Sequence, residues 1–95
     1  MFIFSLRYIG PMDRVDALLA DHIAWLKAGN EAGQFIAWGR KVPRDGGMIF
    51  ARAGSREEAE ALAASDPFVK GGVAEVEVIE FSATFAAPGL EALQD

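Results

Sequence analysis

At 95 residues the chain has room for one domain and one core, and a chain of this size buries only roughly 60–65% of its unfolded surface. It has no cysteine to supply disulfides or thiolate metal sites, and its hydrophobic share of 52% exceeds the usual value of about 45–50%. A net charge of −5 argues against nucleic acid as a partner, because phosphate binding draws on excess Lys and Arg, and no apolar run approaches the ~20 residues of a membrane span.

Phe2 to Ile9 is rich in aromatic and branched residues and is stopped by Gly10-Pro11, which predicts a first strand. One face carries Phe2, Phe4, Leu6 and Tyr8, and the other carries Ile3, Ser5, Arg7 and Ile9. These opening residues lack the basic region and cleavage site of a secretory signal, so the expected location is the cytoplasm. Asp13 to Ala32 is predicted as a helix. Val15, Leu18, Leu19, His22 and Leu26 recur at spacings of three and four, and Gly33 stops it.

A second strand is expected over Gln34 to Lys41, with Phe35 and Ala37 on one face and Ile36, Trp38 and Arg40 on the other. Asp45-Gly46 in the following loop signals a hairpin, and Met48 to Arg52 is the third strand. Ser55-Arg56-Glu57-Glu58 fits a capping box that opens a second helix over Arg56 to Ala64, and Asp66-Pro67 ends it. After the Gly71-Gly72 turn, Val73 to Phe85 reads as a long fourth strand. Its apolar residues change face, as a bulge near Glu80 or burial on both faces would explain. Residues 1–85 form the expected domain and 86–95 a tail, with a short helix from Pro88.

The order β-α-β-β-α-β with right-handed crossovers gives an α+β, ferredoxin-like fold: a four-stranded antiparallel sheet with both helices on one face. Ile36, Trp38, Phe81 and Phe85 cannot all fit beneath two short helices. A homodimer packed through the open sheet face would bury the surplus.

His22 is the only histidine, and the only side chain whose unperturbed pKa of about 6.5 suits proton transfer near neutrality. Two readings are open for it: a buried core histidine satisfied by a backbone carbonyl, or a general base. Asp66 likewise reads either as a residue shaping an Asp-Pro turn or as a carboxylate that approaches His22 from the neighbouring helix and fixes its tautomer. Arg7 and Arg40 sit in strands where charge is unexpected. They would hold an anionic ligand, or pair with Glu75, Glu77 or Glu80. No Gly-x-Gly-x-x-Gly or P-loop is present, and one histidine cannot build a His-rich cluster, so neither cofactor nor metal is expected.

Three stretches carry a resemblance to a known family: a histidine midway along the first helix with Gly33-Gln34-Phe35-Ile36-Ala37-Trp38-Gly39 after it, the Ser55-Arg56-Glu57-Glu58-Ala59 helix start, and Ser65-Asp66-Pro67-Phe68-Val69-Lys70-Gly71-Gly72-Val73. Together they resemble the YciI-like (YCII-related) family from the first strand to about Phe85. The resemblance implies a ferredoxin-like fold in dimeric α+β barrel form. It also implies a His–Asp dyad in a cleft, which maps onto His22 and Asp66, and lyase-type proton chemistry as the nearest precedent. Arg40-Lys41-Val42-Pro43 departs from the Gly-Pro-Leu-like residues of many members and gives the pocket a more cationic wall.

The expected function is therefore a small enzyme of lyase or hydrolase type. His22 would move a proton, Asp66 would orient it, and Arg40 and Arg7 would hold a small anionic or aromatic molecule against Trp38 and Phe68. The alternatives are a non-catalytic ligand-binding or sensor dimer, and a structural dimer with a filled cleft.

Overall fold

In the computed structural model, which describes residues 1–94, the strands and helices run in the order β1 (Phe2–Tyr8), α1 (Met12–Glu31), β2 (Phe35–Arg40), β3 (Gly46–Ala51), α2 (Arg56–Ala64), α3 (Pro67–Lys70) and β4 (Ala74–Glu80). A 3₁₀ turn over Glu91–Leu93 falls in the tail, and the expected tail residue Asp95 lies outside the described residues. The sheet order is β2-β3-β1-β4 with every neighbouring pair antiparallel, the arrangement the two crossovers dictate. No helix among the described residues is long and apolar enough to cross a membrane.

Alternation along β1 decides which face is core. Phe2, Phe4 and Leu6 are buried, while Ile3, Ser5 and Arg7 are not. Opposite them on the same face lie Ile49 and Ala51 of β3, and Val76 and Val78 of β4. Phe4 meets Phe35 edge to face at 6.2 Å between ring centres, and Trp25 of α1 lies 4.6 Å from Phe35. Gly29 allows this approach: a Cβ there would sit 2.0 Å from the Phe35 ring. Ser55 caps α2 as the sequence predicts, its Oγ accepting from the Glu58 N–H at 3.1 Å.

Four expectations change. The fourth strand ends at Glu80 rather than Phe85: its register with β1 closes at Phe2 opposite Glu80, followed by the Phe81 N–H donating to the Met1 carbonyl. No bulge forms near Glu80; the irregularity lies in β2, between Phe35 and Ala37. That extra residue shifts the phase, so Phe35, Trp38 and Arg40 all point to the helix side, opposite Ala51, Ile49 and Gly47. Trp38 is therefore not part of the open face. The hairpin loop is Lys41 to Asp45, with Gly46 already in β3.

The fourth change concerns Asp66-Pro67, which ends α2 and also starts α3. Asp66 is the N-cap, its Oδ1 accepting from the Phe68 N–H at 2.9 Å, and Pro67 takes the first helical position.

Candidate functional site

His22 projects from the inward stripe of α1, and Asp66 sits where α2 hands over to α3. Nothing in either local sequence joins them, yet 44 positions apart they meet at 2.7 Å between His22 Nδ1 and Asp66 Oδ1. Asp66 is 1% exposed and His22 is mostly buried. A carboxylate in its ionised form only accepts, so this contact favours the tautomer with the proton on Nδ1; in that neutral tautomer Nε2 is an acceptor, and it has no hydrogen-bond partner among the described residues.

Phe68 holds the ring plane. Its side chain stacks on His22 at 3.9 Å and 11°, and α3 fixes Phe68 because Asp66 caps that turn. One carboxylate oxygen thus serves two purposes, accepting from His22 and from the Phe68 backbone. The other, Oδ2, is buried without a partner. A buried carboxylate is costly unless it is hydrogen-bonded, and the His22 ring and the Phe68 N–H supply the two bonds Asp66 has.

His22 also lines a cavity of about 190 Å³ between α1 and the sheet. Leu6, Leu19, Leu26 and Ile49 make its wall apolar, and Tyr8, Trp38, Arg40 and Phe68 are among the other residues that line it. Tyr8 packs edge-on against Phe68 at 5.8 Å. Arg40 is exposed, and its side chain makes no hydrogen bond or ion pair among the described residues. The structure thus brings His22, Asp66, Phe68, Trp38 and Arg40 into one neighbourhood.

Arg7 is elsewhere. It points from the opposite face of the sheet and pairs with Glu75, the partner the sequence offered as its alternative. Arg44 bonds Asp16 at 3.1 Å and lies 6.0 Å from the Tyr8 ring centre; the Asp16 carboxylate raises its pKa above the ordinary arginine value. Among the described residues no three His, Cys, Asp or Glu side chains gather where they could hold a metal ion.

Two features escaped the sequence reading. Trp25 donates from Nε1 to Ser65 Oγ at 2.9 Å, tying the helix that carries His22 to the residue before Asp66. The i+3 spacing of Trp25 from His22 was visible, but the meeting with Ser65 depends on where α2 ends. Tyr8 was placed on the inward face of the first strand, but only the fold shows that strand ending at the cavity.

No curated protein sequence matches the chain. Among solved structures it is similar to 5-chloro-2-hydroxyhydroquinone dehydrochlorinase (TftG) from Burkholderia phenoliruptrix AC1100, in complex with 2,5-dihydroxybenzoquinone. The TM-score is 0.68 at 21% identity, over 86% of this chain and 94% of that one. That likeness establishes the ferredoxin-like fold. The model of the YCII-related domain matches residues 1–82, and the chain belongs to that family.

Proposed function

We propose that this chain is a cytoplasmic enzyme of lyase or hydrolase type, working as a dimer through the open sheet face, with His22 and Asp66 as its acid–base pair. Its substrate is a small anionic or aromatic molecule. The observation that carries this reading is the 2.7 Å contact between His22 and a nearly fully buried Asp66 at the wall of an apolar cavity. A base that abstracts a proton needs a bare nitrogen toward the substrate and a carboxylate behind it to stabilise the imidazolium that forms. His22 Nε2 and Asp66 fit those two roles.

Arg40, without a carboxylate partner among the described residues, suits the anionic part of a ligand, and Trp38 and Phe68 suit a ring. The similar fold of a dehydrochlorinase bound to a dihydroxybenzoquinone favours proton removal from an activated aromatic or quinoid compound as the first chemistry to try. For the dimer, the support is that Ile3, Met48, Phe50 and Ile79 share the face of the sheet away from the helices. Met48 and Ile79 are each more than a third exposed there.

The test is a panel of halogenated and hydroxylated benzene derivatives assayed with the wild type and with His22→Gln. Turnover that disappears in His22→Gln, with the folded state and ligand binding kept, is the expected result. If the panel binds but is never turned over, or if His22→Gln turns it over at the wild-type rate, the acid–base reading is wrong. Binding without turnover would make the cleft that of a sensor or carrier.

A further inference from the structure

Gly47 stands on the helix-facing side of β3, directly across from Leu6 on β1 and from Arg40 on β2. All three line the cavity beside His22. Its backbone is not in the left-handed region, so conformation does not call for glycine. A Cβ built there meets one neighbour within 4 Å, the Gly39 carbonyl oxygen at 3.0 Å. Gly46 is the contrast: its Cβ would collide with the Leu6 carbonyl oxygen at 1.8 Å, so packing alone demands glycine. Side chains alternate across a strand, so a side chain at position 47 would rise on the cavity side of the sheet. The space it does not fill belongs to the cavity that Arg40, its partner across the β2–β3 register, also lines, and the Arg40 side chain has no ion-pair partner among the described residues.

We propose that Gly47 is a specificity-determining residue. Its missing side chain keeps open the place where the carboxylate of a monocyclic aromatic acid lies against Arg40, with the ring running along the apolar wall toward His22. A carboxylate is the favoured anion because a guanidinium fork presents two parallel donors to its two oxygens, where a phenolate offers one. This inference rests on the reading of the cavity as a ligand site, but it makes no use of proton transfer.

The experiment titrates the full ¹⁵N-labelled chain with sodium benzoate and, separately, with uncharged benzamide and phenol. Benzoate is expected to shift the Gly47 amide and the Trp38 indole signals, and to bind at least about tenfold more tightly than benzamide. Arg40→Gln removes that preference. Gly47→Ala weakens benzoate binding by about tenfold and Gly47→Val eliminates it, with Arg40 still present. Should the crowding at Gly39 unfold either variant, nuclear Overhauser contacts between benzoate and the Gly47 α-protons in the wild type carry the test.

Unchanged benzoate affinity in a folded Gly47→Val, contacts that bypass Gly47, or no preference over benzamide and phenol would each overturn the proposal. The readout is binding and not turnover, so a wild type that binds benzoate at Gly47 as expected but turns over no substrate would fail the acid–base reading alone.

Discussion

Trp25 Nε1 donates to Ser65 Oγ at 2.9 Å, and that hydroxyl in turn donates to the Leu62 carbonyl at 2.6 Å. The chain of bonds starts three residues after His22, passes through the residue before Asp66 and ends within α2 at Leu62, so it braces both members of the proposed pair. Trp25→Phe keeps the ring against Phe35 and removes only the donor. It should cost about 1 kcal/mol, a Tm drop of roughly 4–8 °C for a domain this size. As a positioning residue Trp25 should also matter to the chemistry, with kcat falling about tenfold at unchanged KM. Ser65→Ala should do the same, and the double variant no more than either alone. Additive losses with unchanged kcat would reduce the bond to ordinary packing.

Asp66 carries two functions that two substitutions separate. Asp66→Asn keeps an oxygen to cap α3, but its amide can present a donor to His22 Nδ1 and so favour the opposite tautomer. Loss of kcat on the order of 10²–10⁴-fold is expected from that change alone. Long-range ¹⁵N–¹H NMR of the sole histidine reads the tautomer directly: Nδ1–H in the wild type at neutral imidazole, Nε2–H in Asp66→Asn. Asp66→Ala additionally uncaps the Phe68 N–H, which should remove about 1 kcal/mol more of stability. Identical tautomers in wild type and Asp66→Asn would show that Asp66 does not set the state of the ring.

How far the site was legible follows from what kind of signal each residue carries. His22 was legible because spacings of three and four fix which face of a long helix turns inward, and the crossover rule sets both helices on one side of the sheet. Asp66 came within reach for the same reason. Their 2.7 Å contact was not readable, because it depends on α3, and an Asp-Pro pair that stops one helix has the same letters as one that starts another. Trp38 was assigned to the wrong face because one extra residue in β2 reverses the parity of everything after it, and no residue type marks the place. The end of β4 was hidden as well. Phe81 and Phe85 continue the alternation, but strand length is set by pairing, and the register with β1 closes at Phe2 opposite Glu80.

Gly29 tests the packing that seats α1 on the sheet. The Phe35 ring occupies the place of a Cβ, with Cδ2 and Cε2 at 2.0 and 2.2 Å. In an exposed helix, alanine would favour the folded state over glycine by about 1 kcal/mol. Here overpacking should reverse the sign, so Gly29→Ala is expected to destabilise by roughly 1–3 kcal/mol in urea unfolding. Pairing it with Phe35→Leu, which vacates part of the ring, should recover a portion of the loss. A stabilised Gly29→Ala would mean that α1 stands further from β2 than the structure places it.

The proposed dimer makes its own demand on the open face. Ile79 is 38% exposed and lies across from Ile3, with Phe50 next to Ile3 on the following strand. In a monomer Ile79→Lys would touch little and change stability by no more than about 0.5 kcal/mol. In a face-to-face pair, two-fold symmetry brings the same patch of both copies together, so one substitution places two ammonium groups in an apolar contact. Light scattering at micromolar concentration should therefore find the wild type at twice the chain mass and Ile79→Lys at the chain mass, with α1 and the His22 signals unchanged. A wild type that runs as a monomer, or an Ile79→Lys that stays paired, would place the association surface elsewhere or remove it. Because His22 and Arg40 lie on the other side of the sheet, a monomeric Ile79→Lys that keeps turnover would also show that each chain holds a complete site.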